Sequence, residues 1–84
     1  MANLFNGTSI ILDQVEGALI NAKDEGELSI DYSKIECFAR TFKKLAGSGY
    51  QYSKFDAKPF VIEACGKCGI PSGDRETIKK ILTD

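Results

Sequence analysis

Apolar residues recur at helical spacing in four stretches of this chain. The clearest is SKIECFARTFKKL, residues 33–45. Ile35, Phe38, Ala39, Phe42 and Leu45 fall on one side of a helix, and Glu36, Arg40, Lys43 and Lys44 fall on the other. Ser33 and Glu36 have the spacing of a capping box, and Gly47 is a natural stop, so the pattern predicts a helix over 33–46. Ahead of it, Ile11, Leu12, Val15, Ala18, Leu19 and Ala22 gather on one face of a helix over 10–25, capped by Thr8 or Ser9 and ended by Gly26. A third helix, over 59–68, takes Pro59 in its first turn, a favoured place for proline. Its Phe60, Val61, Ile62, Ala64, Cys65 and Cys68 cover a broad arc, which marks it as the most buried of the four. The fourth, over 74–83, is capped by Ser72 or Asp74 and turns Ile78, Ile81 and Leu82 inward. Glu63 with Lys67, and Glu76 with Lys80, stand four residues apart on outer sides. The fold class is all-α: one compact four-helix domain over 1–84, with room for a very short two-stranded β piece of 28–30 and 50–52.

Composition narrows this further. Eighty-four residues make one small domain, 43% hydrophobic and 27% charged, which is ordinary for a globular protein. No apolar run approaches the roughly 18–20 residues of a membrane span, and the start lacks a secretion signal. The expectation is a chain complete from Met1. The net charge of −1 hides an asymmetry. Residues 1–36 carry two lysines against seven carboxylates, and residues 37–84 carry nine Lys and Arg against five carboxylates. Acidic and basic halves can attract each other between copies, so an oligomer is one expectation; an anionic partner for the basic half is another.

Three cysteines and no histidine bound the chemistry. The odd count argues against a disulfide framework and makes a reducing cytoplasm the default. Cys65-Gly66-Lys67-Cys68 is the motif with a chemical reputation. A closed zinc site needs four ligands, and Cys37 supplies only a third thiolate. A redox pair needs a lowered thiol pKa, usual at a helix N-terminus, whereas this pair falls near a C-terminus. Cys65 and Cys68 are therefore expected to be small buried hydrophobes. Cys37 lies away from the apolar stripe, between Arg40, Thr41 and Lys44, and is expected to meet solvent. The segment around Gly26 has the outline of a calcium loop, but Lys23 and Tyr32 supply a cation and a phenol where oxygen ligands, including a bidentate carboxylate, are needed. No Ser or Cys nucleophile has a base suggested by any motif, and no Gly-rich loop is arranged for phosphate. The expectation is a non-enzyme with no metal and no cofactor.

Two sets of residues remain as binding candidates. Residues 47–58 lack helical periodicity and interleave Tyr50, Tyr52 and Phe55 with Lys54 and Lys58, a composition suited to a protein interface, to unpaired bases or to covering a core edge. With Arg40 and Lys44 on the central helix, Tyr50, Tyr52, Lys54 and Phe55 are the protein-interface candidates. Residues 59–82 also have the outline of a helix-turn-helix, with Arg75, Thr77, Lys79 and Lys80 on the second helix as nucleic-acid candidates. Against that, the turn is long and Glu76 sits in the face that would enter a groove. The expected function is a small stand-alone interaction module, a regulator, adaptor or inhibitor that binds another protein, of the kind bacteria and phages use. A nucleic-acid-binding helix-turn-helix is the alternative.

Overall fold

The computed structural model describes residues 9–11, 14–47 and 51–83, with side chains over 14–47 and 57–83. In chain order the elements are β1 (Ser9–Ile11), α1 (Val15–Asp24), α2 (Tyr32–Ala46), β2 (Gln51–Ser53), α3 (Lys54–Lys67) and α4 (Ser72–Thr83). Four helices share one core. Val15, Ala18, Leu19 and Ala22 enter it from α1, and Ile35, Phe38 and Phe42 from α2. Ala57, Val61, Ala64, Cys65 and Cys68 come from α3 and its end, and Ile78 and Leu82 from α4. Phe38 and Phe42 stack with centroids 5.7 Å apart, and Phe60 meets Phe42 edge-on at 6.5 Å, a geometry aromatic pairs favour.

Several boundaries depart from the sequence pattern, each for a local reason. The first helix starts at Val15, not at 10. Gln14 is its N-cap, without a side-chain cap bond. Ser9–Ile11 instead runs antiparallel to Gln51–Ser53, with Ile10 opposite Tyr52. β-branched Ile10 and Ile11 favour extended backbone over a helix start. Thr8 and Leu12 lie outside the described residues. Residues 28–30 form no strand; Leu28 and Ile30 are buried in the connection between α1 and α2. The cap of α2 is Asp31 rather than Ser33. Its side chain accepts from Lys34 N at 3.0 Å and from Ser33 Oγ at 2.8 Å, and these bonds hold its carboxyl below the usual value of 3.8. Glu36 is then free of capping and pairs with Arg40 at 2.8 Å.

The third helix begins at Lys54, well before Pro59, so residues 54–58 of the stretch without apolar periodicity are helical. Proline at the first turn is a preference and not a requirement; inside the helix Pro59 removes one backbone donor. Ala57, fully buried, anchors the early turn. The arc on α3 is narrower than the sequence suggested: Ile62 is 56% exposed, because the buried stripe runs Ala57, Val61, Ala64, Cys65, Cys68 and leaves it outside.

The end of α3 is a Schellman turn. Ile70 N donates to Cys65 O at 3.0 Å and Gly69 N to Gly66 O at 3.3 Å, with Gly69 at φ +65°. A Cβ at Gly69 would also lie 3.2 Å from Lys34 Nζ. Gly66, one turn earlier, is exposed inside the helix with open space around it. The two glycines therefore respond oppositely to alanine. Gly69→Ala lowers stability by about 1–2 kcal/mol, the scale of an L residue forced left-handed, and Gly66→Ala raises it by about 0.5–1 kcal/mol. Denaturant unfolding of the two variants checks the pair of signs.

Candidate functional site

Lys34, Cys37, Thr41 and Leu45 run along one edge of α2, each half-buried, at the i, i+3, i+7 and i+11 spacing of a single helix side. The C-terminal end of α3 lies against the first three of them. Lys34 Nζ donates to Cys68 O at 2.9 Å and to Gly69 O at 3.4 Å, so a cation meets the carbonyls that a helix end leaves unsatisfied. Cys37 and Cys68 are joined in a disulfide, 31 positions apart in sequence, with Cα atoms 6.0 Å apart. Thr41 Oγ1 lies 3.5 Å from Cys68 Sγ.

This bridge corrects the expectation for the cysteines. Helical phase places Cys37 away from the main apolar stripe, but the edge it occupies is the seam with α3, where it is half-buried. Cys68 is buried as expected, in a bond rather than as a free thiol. An odd count is satisfied by one pair and one remaining thiol, and that thiol is Cys65. Cys65 is 1% exposed; burial pushes its pKa up to about 11, against a smaller opposing pull from Arg75 and Lys79. It is an inert thiol in the folded state. In the chain-entropy account, closing a loop of this size stabilises by roughly 3–4 kcal/mol. Among the described residues, no group of three or more His, Cys, Asp or Glu is placed to hold a metal ion.

The other binding candidates separate. Arg40 and Lys44 stand exposed on the outer side of α2, one turn apart. Arg40 is engaged with Glu36, both side chains well exposed, a pair of the kind worth little in water. Tyr50 lies outside the described residues. Tyr52 falls in β2, and Lys54 and Phe55 open α3, where the backbone alone is described. Of the nucleic-acid candidates on α4, Arg75 is drawn into the fold. Arg75 is half-buried and its Nε donates to Ile70 O at 2.6 Å. Thr77 Oγ1 donates back to Gly73 O at 3.3 Å. Lys79 Nζ is 3.5 Å from Glu76 Oε2, so Glu76 pairs at i+3 rather than with Lys80. Lys80 is exposed.

Two further contacts had no signal in the apolar pattern. Asp74, 6% exposed at the start of α4, accepts from Ser29 N at 3.1 Å and from Ser29 Oγ at 2.8 Å, tying α4 to the α1–α2 connection. The Tyr32 hydroxyl donates to Asp24 Oδ1 at 2.5 Å while Lys23 Nζ sits 5.2 Å from its ring centre. The hydrogen bond to Asp24 raises the Tyr32 pKa above 10.0. The residues near Gly26 that resemble a calcium loop are thus engaged in closing one helix onto the next.

Comparison with protein-family models finds no match, and neither curated proteins nor solved structures give one.

Asp74 is the buried polar anchor of this end of the molecule. Asp74→Ala is expected to lower the unfolding free energy by about 1.5–3 kcal/mol, the scale of hydrogen bonds to a charged group. Ser29→Ala should cost less, since the Ser29 amide still reaches the carboxylate. Urea unfolding of both variants checks the order.

Proposed function

We propose that this chain is a small non-enzymatic interaction module that binds another protein through Arg40 and Lys44 on the outer face of α2 together with Tyr50, Tyr52, Lys54 and Phe55, with no cofactor. The observation that carries it is the division of labour among the cations. Lys34 and Arg75 satisfy backbone carbonyls within the fold, whereas Arg40 and Lys44 project from a helix whose inner stripe is fully committed to the core. A partner with an acidic surface would meet them at little desolvation cost to this chain. Regulators, adaptors and inhibitors work this way. The helix-turn-helix alternative draws less support, because Arg75 and Thr77 already donate to backbone carbonyls inside the chain. Association between copies is a further outcome for the same face, since Asp24, Glu25, Glu27 and Asp31 form an exposed acidic stretch at the other end of the charge asymmetry. With two of the three thiols joined, cysteine usage no longer favours a reducing cytoplasm. Among the described residues, no helix is long and apolar enough to cross a membrane.

The test is capture of partners from a nuclease-treated lysate by the wild type, by Arg40→Glu/Lys44→Glu and by Lys80→Glu, with sedimentation of the protein alone. The proposal expects a nuclease-resistant protein partner that the α2 double variant loses and Lys80→Glu keeps. Capture abolished by nuclease, together with nanomolar, sequence-preferring binding to duplex DNA, would establish the alternative instead.

A further inference from the structure

We propose that Cys37 is a thiol-exchange site, through which a small thiol opens and closes the Cys37–Cys68 bridge while the helices remain folded. The inference rests on the seam between α2 and α3 and not on the binding proposal above.

Four observations lead to it. The two sulfurs differ in access: Cys37 is half-buried at the edge of α2, whereas Cys68 is 6% exposed. Cys37 is therefore the more accessible of the two bridge residues to a thiolate approaching from solvent. Lys44 follows Cys37 by seven positions on the same side of α2, a cation beside the approach of an anionic nucleophile, while Arg40, three positions on, is paired with Glu36. The departing sulfur is provided for, because Thr41 Oγ1, 3.5 Å from Cys68 Sγ, can donate to the thiolate as it forms. Finally, the third cysteine cannot divert the exchange. Cys65 is fully buried and stays protonated in the fold.

The chemistry balances with a monothiol RSH such as glutathione. Its thiolate attacks Cys37 Sγ; an R–S–S–Cys37 bond forms as the Cys37–Cys68 bond breaks. The bonding pair leaves on Cys68 Sγ, which then takes a proton from water. A second RS⁻ attacks the R sulfur of the mixed disulfide and releases Cys37 as thiolate, which is protonated in turn. The sum is one protein disulfide and two RSH giving two protein thiols and RSSR. The reverse, driven by RSSR, closes the bridge through the same Cys37 adduct. The fold survives opening because other contacts hold the same corner: Lys34 on Cys68 O and Gly69 O, Arg75 on Ile70 O, and Asp74 on Ser29. Thr41 is a positioning residue in this scheme.

The experiment treats the native oxidised protein with reduced glutathione, quenches with acid at intervals, and maps the adduct by peptide mass spectrometry. Circular dichroism is followed in parallel. The expected result is a transient glutathione adduct on Cys37 with helical content unchanged. Thr41→Val should slow bridge opening several-fold, Thr41→Ser should restore the rate, and Cys65→Ser should leave it unchanged. An adduct first seen on Cys68 or Cys65 overturns the proposal. So does opening that proceeds only at the rate of global unfolding, or a Thr41→Val protein that opens as fast as the wild type.

Discussion

A helix that ends inside a small domain leaves carbonyl oxygens needing donors, and the rest of this structure is arranged around the place where α3 does so. The chain turns at Gly69 in a left-handed conformation, and Ile70 is driven into the core at 1% exposure immediately afterwards. Every other helix except α1 then reaches the corner directly. Lys34 from α2 and Arg75 from α4 donate to its carbonyls, and Cys37 from α2 is bonded to Cys68. Asp74 extends the same corner to the α1–α2 connection through Ser29. A core of this size has little margin, since a domain of such length buries only about three-fifths of its unfolded surface. Polar and covalent ties at one end therefore complement the aromatic packing of Phe38, Phe42 and Phe60 elsewhere.

The corner also determines which cations belong to the fold and which stay at the surface. A cation that satisfies a partly buried carbonyl cannot leave without exposing an unpaired acceptor, so Lys34 and Arg75 belong to the fold. Glu36–Arg40, Glu63–Lys67 and Glu76–Lys79 pair along their own exposed helix faces and can exchange partners at small cost. What distinguishes the outer side of α2 is that Arg40 and Lys44 lie beside the one covalent tie of the fold, so its surface and its redox state are neighbours.

Much of this was legible in the sequence where period decides the outcome. The inner stripe of α2, the buried face of α1 from Val15 to Ala22, and the inward Ile78 and Leu82 follow from spacing alone. The departures occur where a tertiary partner decides. Ile10 and Ile11 fit the helical period, but their β-branched preference for extended backbone and their pairing opposite Tyr52 and Gln51 make them a strand. Asp31 outcompetes Ser33 as cap because Ser33 itself donates to it. Ile62 is apolar but falls off the stripe, and periodicity counts it among its neighbours. For the candidate site the limits were sharper. Arg75 and Lys80 look alike in a sequence, and only the position of Ile70 O separates a structural cation from an open one. The Cys65–Cys68 spacing drew attention to the wrong pair: the sulfur that meets Cys68 comes from 31 residues away, and connectivity of that kind has no local signature.

The corner is tested most directly by its covalent member. The native protein, purified without reductant, is alkylated under denaturing conditions, digested and mapped by mass spectrometry. The structure predicts one peptide pair linked through Cys37 and Cys68, with Cys65 alone carrying the alkyl group. A link that includes Cys65 would contradict the packing of α3 against α2 described here.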